Sequence, residues 1–144
     1  MKGVSSYYLG IERINYLDQS ANQLNPEISI LDNFLKLNVD AKENEAYQAL
    51  AQFLFKNVSA LKLVKHLSGG EKLRALLACT LKSSNSPQLL ILDEPTNHLD
   101  LNSMKNIESA LKNYQGAMIV ISHDQTFLES IAIDRIIYAP FKNE

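Results

Sequence analysis

Two acids, Asp93 and Glu94, stand side by side after the apolar run 89–92, and a histidine, His123, follows the next such run at 117–121. Continuous apolar runs of this length suit strands of a parallel sheet buried on both faces, and ligands gather at the carboxyl ends of such strands. Successive strand residues point to opposite faces, so the two acids cannot easily share one job. Asp93 is placed to hold Mg2+ beside triphosphate oxygens, since Mg2+ prefers one or two carboxylates together with phosphates and retained waters. Glu94 is placed to orient and polarise an attacking water. His123, titratable near neutral pH, can donate to a γ-phosphate oxygen and report its presence. An isolated acid pair often faces solvent and a lone histidine is often a turn residue. Here the sequence PTNHLD that follows the acids, and a histidine one strand later, argue for shared chemistry.

Upstream, Ser68, Gly69, Gly70 and Glu71 open an apolar helix. Such a start offers free backbone N–H groups and the positive end of the helix dipole, with no side chains to obstruct a phosphate. Capping alone needs only Ser68 and Glu71, whereas two consecutive glycines cost entropy that capping does not explain. Asp100 can carry information across an interface between two domains, or simply cap the next helix. Gln19, in the loop DQSANQLNPE, can sense Mg2+ or the attacking water through its amide. His66 and His98 have no independent case and are expected to be non-catalytic.

The elements that must position these groups are legible in outline. Residues 6–9 and 11–17 are expected to be strands. Ser29 with Asp32, and Asp40 with Glu43, mark capping boxes of two helices, the second burying Ala46, Leu50, Phe53 and Leu54. The helix after Ser68 buries Leu73, Leu76, Leu77 and Leu81; the next carries Leu101, Met104, Ile107, Leu111 and Tyr114 and stops at Gly116, expected as a left-handed cap. Residues 117–121 are expected as a second buried strand, Phe127, Leu128 and Ile131 mark a short helix, and 135–138 a last strand. The alternation gives an α/β fold with a mostly parallel sheet.

The 144 residues, 46% apolar and 21% charged, are enough for about one domain with a real core. The net charge of −2 is spread without a basic stripe, so no nucleic-acid footprint is visible in this chain. The single cysteine, Cys79, sits among leucines and reads as a small buried hydrophobe, which suits a reducing cytosol. No apolar run approaches the roughly 18 residues of a membrane span, and MKGVSSYYLG is not a secretory signal, so a soluble cytoplasmic protein is expected.

LSGGEK at 67–72 resembles the signature motif of ABC-type ATPases, LLILDEPTNHLD at 89–100 their Walker B strand and D-loop, VISHD at 120–124 their switch-histidine loop, and YLDQ at 16–19 their Q-loop. The Asn-His before Leu99-Asp100, and Glu71, resemble the ABC-F group within that superfamily, and FLFKNVSALKLVKHLSGGEK its second domain. The resemblance implies a partial P-loop NTPase fold: strands and Q-loop in 1–28, a small helical subdomain in 29–67, and signature helix, Walker B, D-loop and switch histidine in 68–144. It implies ATP and Mg2+ as cofactors, with Asp93 and Gln19 serving the metal, Glu94 and His123 the catalytic step, and Gln19 also reading the γ-phosphate. Ser68, Gly69, Gly70 and Glu71 would clasp an ATP held by a second nucleotide-binding domain, in cis or trans, with Asp100 at the seam. A ribosomal partner, reached through regions outside this chain, is the ABC-F expectation.

The sequence departs from the family pattern in several places, the missing adenine-stacking aromatic and basic inter-domain linker among them. No glycine-rich GxxxxGK[ST] loop occurs in it, and Gln125 stands where many ABC-F sequences have arginine after SHD. Without that loop, negligible ATP affinity and hydrolysis are expected of this chain alone, as is self-association through uncovered sheet surface. Two alternatives stand beside this: part of a transporter's ATP-binding subunit, or a non-catalytic module completing an ATP site on a partner chain. DNA-repair ATPases with a similar arrangement would carry long flanking heptads, which are absent.

Overall fold

The computed structural model describes residues 10–18, 20–82, 86–97 and 99–138. Three parallel strands form one sheet in the order β1 (Ile14–Leu17), β2 (Leu89–Asp93), β3 (Ala117–Ile121). Between β1 and β2 lie α1 (Ile30–Leu37), α2 (Glu43–Gln52), two short 3-10 turns and α3 (Gly69–Leu81); α4 (Leu101–Lys112) joins β2 to β3, and α5 (Gln125–Ser130) follows β3. Parallel neighbours require such crossovers, so the βα alternation expected from the sequence is what is found.

The helices start where side chains can satisfy free N–H groups. Ser29, Ser68, Asp100 and Asp124 each accept from the backbone N–H three residues on. The second helix differs from expectation. Its cap is Lys42 rather than Asp40, and Glu45 returns to the Lys42 N–H at 2.8 Å.

The core lies between the sheet and the helices. Leu17, Leu90 and Leu92 meet Leu73, Leu76, Leu77, Ile107, Leu111 and Phe127, all essentially inaccessible. Cys79 belongs to this cluster, and burial pushes its thiol up to about 12, so it behaves as the apolar filler expected. Two polar ties fix the helical layer to α3. The guanidinium of Arg74 donates to the Phe53 carbonyl at 2.8 Å and lies 4.9 Å from the Phe55 ring centre, and the Asn38 amide donates to the Cys79 carbonyl at 3.0 Å.

The other face of the sheet is open. Ile14 and Tyr16 of β1 and Ile119 and Ile121 of β3 are 44–51% exposed, so β3 is half-buried rather than the fully buried strand its apolar sequence suggests. A strand reads as continuous hydrophobe when both faces are meant to be covered. The uncovered apolar surface expected from the sequence is therefore present among the described residues.

Other expectations fail for identifiable reasons. Strand β1 begins at Ile14 rather than Ile11, because the ladder to β2 starts at the Ile14–Leu89 pair. Leu54 lies outside the core with a left-handed φ of 69°, just beyond the end of α2. Gly116 is not a left-handed cap: no glycine among the described residues has positive φ, and α4 ends at Lys112 with Asn113 as its cap. A Cβ at Gly116 would collide with the Tyr114 hydroxyl end and stand 3.0 Å from the Gln88 carbonyl, so close approach is what needs glycine there. Residues 135–138 form no strand; they are exposed and pair with no described neighbour. The strand expected at 6–9 lies outside the described residues.

Candidate functional site

Both catalytic candidates lie at the carboxyl ends of the central and third strands. Asp93 pairs in register with Ile121, and the Glu94 N–H donates to the Ile121 carbonyl at 2.8 Å, which continues the ladder one residue past β2. That bond is made with Glu94 in the left-handed region, φ 43°, a costly conformation for a glutamate and one that concentrates at functional sites. The turn re-aims the carboxylate toward the third strand, where Glu94 Oε2 meets His123 Nδ1 at 2.9 Å.

The two acids part as expected, though through the turn at Glu94 rather than by strand alternation, since β2 ends at Asp93. Glu94 faces His123, while Asp93 Oδ2 accepts from the Tyr16 hydroxyl at 2.6 Å on the β1 side. The hydrogen bond to Glu94, then its charge, raises the His123 pKa above 6.5, and Asp124 adds to this against a small desolvation penalty. The hydrogen bond to Asp93 likewise raises the Tyr16 phenol.

Asp93 fits a Mg2+ ion in one specific respect. It is a half-buried carboxylate with one oxygen engaged and the other without a hydrogen bond, and no group of three or more His, Cys, Asp or Glu converges among the described residues. A cation here would draw its remaining ligands from phosphate and water, which suits Mg2+.

The second group of residues surrounds the start of α3. Ser68 Oγ accepts from the Glu71 N–H at 3.2 Å and Glu71 Oε2 accepts from the Ser68 N–H at 2.9 Å, so the box that was expected is closed on both sides. Lys62 Nζ stands 3.7 Å from Glu71 Oε1. The two glycines differ. A Cβ on Gly69 would meet nothing within 4 Å, whereas one on Gly70 would sit 2.7 Å from Leu99 Cδ2 and 3.5 Å from Ser103 Oγ. Gly69 thus leaves space for an approaching anion, and Gly70 makes room for the loop carrying Asp100.

Asp100 itself caps α4: Oδ1 accepts from the Ser103 N–H at 3.0 Å and Oδ2 from the Ser103 hydroxyl at 2.5 Å, which lowers its pKa, the hydroxyl bond foremost. Capping is therefore one of its roles, and its exposure leaves it open to a partner.

Successive turns connect the groups, Asn97 donating to the Glu94 carbonyl and Leu99 to the Thr96 carbonyl. Gln19 and His98 lie outside the described residues. His66 is exposed, in a 3-10 turn that ends two residues before Ser68. Tyr16, Leu99 and Ser103 were not singled out from the sequence, because finding them needs the strand register and the approach of two helices.

A family model described as ABC transporter matches residues 10–97, more than half of the chain. The ATP-binding protein Uup of Buchnera aphidicola (from Acyrthosiphon pisum) is 43% identical over 83% of this chain and 20% of its own length; Uup of Escherichia coli K12 is 38% identical over 81% and 19%. The putative ATP-binding protein YdiF of Bacillus subtilis is 40% identical over 91% of this chain and 20% of its own. The chain thus spans about a fifth of the length of these relatives. Among solved structures, the dimeric post-hydrolysis state of the ATP-binding cassette MJ0796 bound to ADP and Pi superposes with a TM-score of 0.65 at 25% identity, over 83% of this chain and 56% of that one. The fold is accordingly that of part of an ABC cassette. Among the described residues no helix is long and apolar enough to cross a membrane. With the family model matching more than half of its length and relatives of the Uup type aligned over most of it, the chain belongs to the ABC ATPase family.

Proposed function

We propose that this chain supplies the water-activating, γ-phosphate-sensing and clasping parts of a composite ATP site of the ABC-F type, in a cytoplasmic protein linked to the ribosome. The observation that carries this reading is the 2.9 Å contact between Glu94 and His123, held by a strained turn at the strand ends.

Its chemistry follows from the geometry. Glu94 accepts a proton from, and orients, the water that attacks the γ-phosphorus. His123 presents Nδ1 to Glu94, which leaves Nε2 for a phosphate oxygen. In the neutral ring with its proton on Nδ1, Nε2 would only accept; the raised pKa favours the imidazolium, in which Nε2–H donates to the phosphate. Asp93 would hold Mg2+, which would supply positive charge to offset the charge that develops on the phosphate. Gln19 would read the same Mg2+ and γ-phosphate. Ser68, the open Gly69 N–H and the rest of that helix start clasp an ATP carried by a second domain, with Gly70 and Glu71 shaping the clasp and Asp100 at the seam.

MJ0796 forms dimers as an ABC cassette, which supports a two-domain arrangement. The open sheet face supports self-association of this chain by itself. The non-catalytic, partner-completing reading predicts a different outcome in one experiment. Residues 10–138 are grafted in place of the matching stretch of E. coli Uup, and ATP turnover is followed. Turnover that Glu94→Gln abolishes supports the proposal; a graft that folds, binds ATP and turns it over equally well with Glu94→Gln overturns it. The ungrafted chain should show no micromolar ATP binding by calorimetry.

A further inference from the structure

We infer that Tyr16 is a positioning residue for the cation site, acting through Asp93. This rests on Asp93 as the cation ligand proposed above. The parallel register sets Tyr16 beside Ile91, so Asp93 is two residues further along β2 on the same open face of the sheet. A diagonal neighbour at that spacing is within reach of a tyrosine, and the hydroxyl closes the distance to Asp93 Oδ2 at 2.6 Å.

The chemistry of the face makes the hydroxyl informative. Its other described strand members on the flanking strands are Ile14, Ile119 and Ile121, where a phenylalanine or isoleucine would serve as well for packing. Half of Tyr16 is exposed, so its ring does little for the core, and its polar end is spent on Asp93. The main chain beneath is also pinned: Gln23 Nε2 donates to the Tyr16 carbonyl at 2.6 Å. With Oδ2 engaged, the Asp93 carboxylate is fixed about its last torsion and offers Oδ1 alone, which takes no hydrogen bond among the described residues and is free for one-oxygen ligation. Carboxylates that ligate metals are held in this way by outer hydrogen bonds, and losing such a partner weakens metal binding by about 10-fold to 100-fold.

The test uses the full 144-residue chain, nitrogen-15 labelled, titrated with Mn2+ as a paramagnetic substitute for Mg2+. Amide signals near Asp93 should broaden, and Tyr16→Phe should require about tenfold more Mn2+ for the same broadening while the rest of the spectrum is unchanged. Asp93→Asn should abolish the effect. If Asp93→Asn leaves the broadening intact, the cation site itself is misplaced. If Asp93→Asn abolishes it and a folded Tyr16→Phe titrates like the parent chain, the cation site stands and the role of Tyr16 is refuted.

Discussion

The strand-end group and the helix-start group are built on opposite principles. Glu94 and His123 are partly or largely exposed, joined to each other by a single contact, and aimed by a backbone conformation that costs energy. Ser68, Gly70 and Asp100 are held by reciprocal capping bonds and by Gly70 lying against Leu99 and the fully buried Ser103. The first group meets through side chains that solvent reaches, so an arriving charged ligand can compete for the contact. The second is seated on the core through α3 and α4, so it presents a fixed surface. The composite site proposed above would use both: an exposed sensor for one nucleotide and a rigid clasp for another.

The sharpest break of this contrast is at Glu94. In the graft, Glu94→Gln should cut ATP turnover by about 10²- to 10⁴-fold, with thermal stability nearly unchanged because glutamine keeps the size and shape of the side chain. A large loss of melting temperature would mean that the strand-end group is structural after all.

At the helix start the order of effects should invert. Gly70→Val puts a branched side chain against Leu99 and Ser103 and should cost about 1–3 kcal/mol in urea unfolding. Gly69→Ala meets open space and should leave stability unchanged or slightly higher, while impairing turnover in the graft. Equal stability losses at the two positions would erase the distinction between clasp and packing. Ser68→Ala removes one cap acceptor and should cost about 1 kcal/mol by the same assay.

The smallest effect concerns pH. The folded-state pKa of His123 is raised, so its interaction with Glu94 is fully present below about 6.5 and is lost as pH rises through the folded value. NMR titration of the imidazole should give a midpoint above 6.5, and Glu94→Gln should return it toward 6.5. A midpoint at or below 6.5 in the parent chain would show that the contact is absent in solution.

Much of the site was legible because its signals are local. A serine three residues before a glutamate, or two acids ending an apolar run, needs only neighbouring residues to be read. What escaped depends on distant partners. Tyr16 meets Asp93 only through a strand register 75 positions apart, since 91 − 16 = 75. Gly70 could be told from Gly69 only by the approach of Leu99. Residues 135–138, rich in β-branched and aromatic side chains, have strand propensity but no pairing partner among the described residues, and strand formation follows pairing more than propensity. Gly116 failed for a related reason: a sequence shows a glycine but not whether conformation or proximity demands it.

The central claim is that Glu94 and His123 act on one phosphoryl group, and a double-mutant cycle on single-turnover ATP hydrolysis by the graft tests it directly. Residues that act as a unit are strongly non-additive, so His123→Ala should slow the parent graft substantially and add almost nothing in the Glu94→Gln background. If the two losses simply multiply, the residues work independently and the shared site does not exist.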